Sequence, residues 1–192
     1  MEKEGTKNMI LEKASKLIHE NGFNNTGIQE IIKNAGIPKG SFYYYFKSKE
    51  DFGLELIDFY ASFILSRLEA HYRHDPLPYI KRLHNFFDEF LAVFESNDLK
   101  GGCPLGNLAQ EMSDLNEYFR SRLTGVFEKV KDTIVKYLEQ ARKNGEISET
   151  IETEKTADFI LNSWQGALLR AKMTKATKPL QLFDEIIFNN LL

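Results

Sequence analysis

Pro38-Lys39-Gly40-Ser41-Phe42-Tyr43-Tyr44-Tyr45-Phe46 concentrates ammonium and hydroxyl donors in one short segment. A lysine there can donate to guanine O6 and N7, and serine or tyrosine hydroxyls can donate to phosphate oxygens. Gly40 removes side-chain bulk and lets the backbone come close to a partner. Lys49 adds a second cation a few residues on, where a nucleic-acid backbone would pass. Upstream, Thr26 and Gln29 stand three residues apart, a capping pair at the start of a helix. The candidate nucleic-acid contacts are therefore Thr26, Gln29, Lys39, Gly40, Ser41, Tyr43, Tyr44 and Lys49. The aromatic run also has a core reading, which holds for Phe42 and Phe46 with Ile37. Helical neighbours differ by about 100°, so three successive tyrosines cannot all face inward. Tyr43 is the one expected outside.

These residues need two short helices set at a steep angle. The first helix is expected over about 6–21, with Ile10, Ala14, Leu17 and Ile18 on one stripe and Gly22 ending it. A second follows Thr26 and buries Ile28, Ile31 and Ile32. Gly36 permits a sharp turn, and Pro38 opens a third helix over about 38–46 because its missing N–H costs nothing there. Ser48 and Asp51 read as the cap of a long fourth helix, about 49–74.

Apolar spacing of three and four residues continues to the C-terminus, with no sustained period-two alternation. Asp75-Pro76-Leu77-Pro78 is a linker, and an aromatic-rich helix follows over about 78–95. Long helices are expected over about 114–144 and 153–174, then a short apolar tail after Pro179. The fold class is all-α: a three-helix helix-turn-helix head at 1–48 and a helical body at 49–192, joined by the helix at 49–74. The two long helices are candidates for a four-helix bundle shared by two chains; burial of both stripes within one chain is the other reading.

Phe86, Phe87, Phe90, Phe94, Tyr118, Phe119 and Trp164 can line an apolar ligand cavity with polar handles, or simply fill a core. Cys103 stands in Gly101-Gly102-Cys103-Pro104-Leu105-Gly106-Asn107. If Pro104 opens a helix, unpaired N–H groups would favour the thiolate and make Cys103 reactive. The competing reading is a small, inert, buried filler.

Bulk composition narrows the classes. The chain has 192 residues, a net charge of −3, 42% hydrophobic and 28% charged residues. Residues 1–50 carry eight lysines against six acids, net +2, leaving 17 basic and 22 acidic residues, net −5, in the remainder. A mildly basic head on an acidic body suits local phosphate contact and disfavours a sequence-tolerant architectural binder. One cysteine and no apolar run of membrane length point to a cytoplasmic protein. No phosphate loop or nucleophile elbow is present, so no enzyme is expected. His19, His71, His74 and His84 have no cysteine partner, and neither a metal site nor a cofactor is expected.

Residues 14–60 resemble the DNA-binding head of the TetR/AcrR family. The matching features are Gly22-Phe23, Thr26, Ile31, Ala35-Gly36-Ile37, Lys39-Gly40-Ser41-Phe42-Tyr43, Tyr45-Phe46 and Ser48-Lys49-Glu50. Ile32 departs from the family's usual alanine, and Gly27 from a frequent hydroxyl residue. The Gly-Cys-Pro-Leu-Gly-Asn run resembles a segment of NemR-like, electrophile-sensing members. The resemblance implies a homodimeric, ligand-responsive repressor that leaves a palindromic operator when a small molecule or electrophile acts as inducer. The alternative is a small-molecule-binding helical protein that activates, or whose head no longer reads DNA.

Overall fold

The computed structural model describes residues 2–73 and 76–192. Among them the chain is all-α, with no strand. The helices are α1 (Glu2–Asn21), α2 (Ile28–Ala35), α3 (Phe42–Tyr45), α4 (Lys49–Tyr72), α5 (Tyr79–Ser96), α6 (Pro104–Met112), α7 (Glu117–Lys143), α8 (Thr153–Thr174) and α9 (Lys178–Asp184). A π-helical segment, Glu185–Leu191, continues α9, so the tail is helical. Met1, the expected helix end at His74 and the linker's Asp75 lie outside the described residues.

Two compact units form. One holds the residues up to Ser62 with Pro104–Thr124; the other holds Phe63–Cys103 with Gly125–Leu192. The expected division at 48/49 follows the motif. The compact unit that holds the motif also takes in the first half of α4, all of α6 and the start of α7.

In the head unit, α1 buries Ile10, Leu11, Ala14 and Ile18, while Leu17 stays half-buried. Gly22, at φ +86°, closes α1 by donating its N–H to the Ile18 carbonyl at 2.8 Å. The cap of α2 falls one residue later than expected. Gly27 is the N-cap, and its N–H donates to the Glu30 carboxylate at 2.7 Å. Thr26 instead buries its hydroxyl and donates it to the Gly22 carbonyl at 2.7 Å. Ile31, Ile32 and Ala35 face inward, and Gly36 at φ +70° ends the helix.

The third helix is shorter than its expected 38–46. Pro38–Ser41 is a turn, in which the Ser41 N–H donates to the Pro38 carbonyl at 2.9 Å, and only Phe42–Tyr45 is α-helical. Gly40, with a low helix propensity inside the expected first turn, accounts for the delayed start. Ser48 caps α4 as expected: its Oγ accepts the Asp51 N–H at 3.0 Å, and the Asp51 carboxylate accepts the Lys47 N–H at 2.8 Å.

α7 begins at Glu117 and not at 114, because the Asn116 side-chain oxygen accepts the N–H groups of Tyr118 and Phe119 at 2.9 and 3.1 Å. Leu115 is left exposed ahead of the helix. Within the body unit, α7 buries Val126, Val130, Ile134, Tyr137 and Ala141. The Tyr137 hydroxyl donates to the Leu68 carbonyl at 2.5 Å, locking α7 to α4. Arg82 is buried, donates to the carbonyls of Tyr72 and Leu77 and lies 4.2 Å above the Tyr79 ring.

Candidate nucleic-acid interface and effector site

The aromatics of α3 and of its C-cap residue Phe46 divide by direction. Phe42 and Phe46 are 0% and 1% exposed and pack with Phe52 of α4, at ring separations of 5.8 and 5.0 Å. Tyr43 and Tyr44 are 62% and 64% exposed. Burying two rings on one side of a single helical turn therefore turns the two tyrosines outward. Lys39 and Gly40 are exposed in the turn that precedes α3, Ser41 is half-buried, and Gln29 is exposed in the first turn of α2. These six residues form the polar outer face of the motif.

Two further candidates point elsewhere. Thr26 is fully buried, and its hydroxyl braces the α1–α2 turn. Lys49 donates to the Asn24 carbonyl at 3.2 Å and sits 4.7 Å from the Phe23 ring centroid. Burial draws its ammonium below the ordinary lysine range, opposed by the carboxylates of Glu111 and Glu30. Lys47, next to the Ser48 cap, is exposed and offers a cation at this end of the motif. The capping pattern at Ser48 was the available signal for its exposure, since residues just before a cap lie outside the helix.

Sequence reasoning also missed what holds the turn. The Glu111 carboxylate, at the end of α6, accepts the N–H groups of Phe23 and Asn24 at 2.9 and 2.6 Å. Asn116 donates to Glu50 at 2.9 Å, and Arg122 donates to Asp58 at 2.5 Å. Phe119 packs against Phe23 at 5.2 Å and reaches α4 at Gly53, where a Cβ would stand 2.3 Å from its Cζ. α6 and the first turns of α7 thus grip the same turn and α4 face that carry the motif.

The candidate effector residues are only partly brought together. Phe87 and Phe90 meet Trp164 at ring separations of 4.9 and 5.7 Å, and Phe86 meets Phe87 at 5.3 Å. Phe183 of α9 joins them, 5.2 Å from Phe87 and 5.1 Å from Trp164. Phe94 is buried one turn further along α5. Phe119 belongs to the head unit, and Tyr118 is 69% exposed. Cys103 is buried directly before Pro104, which opens α6 as expected. Asp98, Leu99, Gly101 and Gly102 ahead of it all have positive φ, between +53° and +84°. Two of the four are not glycine, so this loop stores backbone strain beside the thiol.

Residues 10–56 match the model of the bacterial regulatory proteins of the tetR family, and residues 80–187 match the tetracyclin repressor-like C-terminal domain. The chain belongs to the TetR family. Among its relatives, the HTH-type transcriptional repressor DhaR of Mycobacterium sp. strain GP1 is 32% identical over 95% of this chain and 90% of that protein. The transcriptional regulator AcuR of Cereibacter sphaeroides is 35% identical over 85% of this chain and 75% of that protein. The structure of the reduced form of E. coli NemR superposes with a TM-score of 0.88 at 30% identity, covering 96% of each chain. This TetR-family member is a ligand-responsive, DNA-binding transcriptional regulator.

Proposed function

We propose that this TetR-family protein is a homodimeric repressor that holds a palindromic operator and releases it when an inducer binds the body. The exposed Lys39–Tyr44 face over the buried Phe42–Phe46 pair carries the reading. Lys39 would read a base edge, Gly40 admits the backbone, and Ser41, Tyr43, Tyr44, Gln29 and Lys47 would hold phosphates. Repressor, as opposed to activator, follows the naming of the relatives DhaR and NemR.

Two heads are required to read a two-fold operator. The apolar surface available for pairing supports α8 with α9, where α7 with α8 was expected. The α7 stripe is spent within its own chain, whereas Phe159, Leu169 and Met173 of α8 and Leu182 of α9 are 43–73% exposed. Gly166 lies on the α8 face between Phe159 and Met173, and a Cβ there would meet nothing within 4 Å. A helix from a second chain can approach closely at that point, as in an intersubunit four-helix bundle.

The inducer would be a small, largely apolar molecule taken up at the Phe86, Phe87, Phe90 and Trp164 cluster, or an electrophile acting at Cys103. α4 and α7 each belong to both compact units, so a change in the body reaches the heads through continuous helices. A changed head spacing then no longer matches half-sites one helical turn apart. No helix among the described residues is long and apolar enough to cross a membrane, in keeping with action on DNA in the cytoplasm.

Fluorescence anisotropy on a duplex from the DNA beside the protein's own gene tests the reading. Operator binding should exceed that of a scrambled duplex by at least about 10³-fold at physiological salt. Lys39→Ala should remove about 1–3 kcal/mol of discrimination at one base position. Equal affinity for both duplexes at every salt concentration would overturn the proposal.

A further inference from the structure

On α5, His84 and Asp88 are one helical turn apart and share a face. Asp184, the last residue of α9, arrives at the same point from 100 residues away, with its Oδ1 2.5 Å from His84 Nε2. Asp88 Oδ1 lies 3.5 Å from the same nitrogen. One ligand-type atom from each of the three side chains falls within 4.8 Å of the other two. The His84 ring packs against Phe188 of the π-helical segment, tilted by 31° at 4.5 Å between centroids. Its second nitrogen, Nδ1, is 3.2 Å from the Lys81 ammonium.

We propose that His84, Asp88 and Asp184 form a site for a divalent cation of the Zn²⁺ class. One imidazole and two carboxylates make a mixed nitrogen and oxygen set, which suits borderline divalent ions and serves Mg²⁺ or Ca²⁺, which prefer oxygen ligands alone, poorly. The carboxylates are 50% and 42% exposed, so an ion enters from solvent and keeps water at its remaining positions. Asp88 and Asp184 bring two carboxylates to the same point, which favours a cation there.

Lys81 sets the cost of binding. An ammonium only donates, so Nδ1 accepts from it and the ring proton sits on Nε2, shared with Asp184. A cation takes the Nε2 lone pair; the ring proton moves to Nδ1, and no proton is lost overall. The Lys81 ammonium, being exposed, must swing away from a nitrogen that now carries hydrogen and from a nearby cation. Lys81 therefore acts as a built-in competitor for the site. A bound ion would clamp α5, which carries Phe86, Phe87 and Phe90, to α9.

The test is titration of the chelator-treated, dialysed full-length protein with ZnCl₂ by calorimetry, and with CoCl₂ by absorption. One ion per chain should bind and raise the thermal midpoint. Asp184→Asn and His84→Ala should each weaken Zn²⁺ at least about tenfold, in line with loss of a ligand or its immediate support. Lys81→Met should bind Zn²⁺ more tightly than the native chain. The Co²⁺ complex should show ligand-field bands without thiolate charge transfer. Asp184→Asn preserves the His84–Phe188 stack, so it remains informative if His84→Ala fails to fold. Unchanged Zn²⁺ affinity in Asp184→Asn, a thiolate band pointing to Cys103, no binding at millimolar ion, or weaker binding in Lys81→Met would each overturn the proposal.

Discussion

Gly53→Ala places two opposing effects of comparable size on one methyl group. On an open helix surface the change stabilises by about 1 kcal/mol, because alanine loses less backbone entropy on folding than glycine. At residue 53 the new Cβ would lie 2.3 Å from Phe119 Cζ, 2.7 Å from Phe23 Cζ and 2.8 Å from Phe23 Cε2. Ordinary carbon contact needs about 3.5–4.0 Å, so both rings must move by roughly an ångström. Neither has room nearby: Phe119 is 0% exposed, Phe23 is 3% exposed, and the two rings pack against each other at 5.2 Å. Overpacking of this kind costs about 1–3 kcal/mol, and displacing two buried rings belongs at the upper end.

The steric term therefore exceeds the entropic gain, leaving the head unit destabilised by about 1–2 kcal/mol. For a chain of this size that lowers the thermal midpoint by about 2–8 °C, measured at fixed protein concentration because the proposed dimerisation would shift the midpoint too. The double change Gly53→Ala with Phe119→Leu removes the closest ring atom and should recover part of the loss, as coupled neighbours do. Circular dichroism melts of the four proteins in the cycle supply the comparison. A Gly53→Ala protein as stable as the native chain, or more stable, would show that α4 and α7 are not keyed together at this glycine.

Other consequences follow from the grip on the α1–α2 turn and from the body's ion pairs. Glu111→Ala strips the acceptor from the Phe23 and Asn24 N–H groups, and hydrogen exchange at those two amides should quicken by about one to two orders of magnitude, for charge-assisted bonds of about 1.5–3 kcal/mol each partly replaced by water. Lys47→Ala should weaken every DNA sequence alike and reduce the salt slope by about one, whereas Lys49→Ala should leave the salt slope unchanged and loosen the turn; the opposite pattern in salt titrations would place Lys49 at the phosphates. Burial pushes the Glu89 carboxyl up, but hydrogen bonds and charge from His71 and Arg67 outweigh it and hold the group below 4.5. Its contribution to stability is accordingly complete above that value and fades as pH falls through the lowered one, so Glu89→Gln should flatten the acid side of the stability–pH curve.

The head was readable to the extent that local rules governed it. The 100° step between helical neighbours was enough to send Phe42 and Phe46 inward and Tyr43 outward, and Ser48 capped α4 with Asp51 as the spacing required. Where two residues could serve the same local purpose, the pattern failed. Thr26 has the side chain for a cap, but the end of α1 frees the Gly22 carbonyl 2.7 Å from its hydroxyl, and Gly27 with Glu30 closes α2 instead. Lysine type told what Lys49 can donate to, and not where it points. Its long stem lets it choose Asn24 over solvent, a choice fixed by residues distant in sequence. Glu111 had no local mark at all, since its partners precede it by 88 and 87 residues.

In the body, periodicity identified helices and was silent about what covers them. The two long helices stood as equal bundle candidates, and the α7 stripe is the more continuous; yet continuity reflects burial on one side, whoever supplies the cover. Here α7 is covered by its own chain, and Tyr137 donating to Leu68 shows the match is specific. α8 looks weaker because its inner stripe, Ile160, Trp164, Leu168 and Ala171, competes with an outer one of Phe159, Leu169 and Met173. A helix apolar on two faces satisfies one within the fold and leaves the other for a second chain. In the proposed dimer, the less tidy amphipathic pattern is therefore the one that marks the pairing surface. Analytical ultracentrifugation of Leu169→Glu decides the matter: a charge on a free surface would leave the oligomer unchanged, and one inside a two-chain bundle would dissociate it.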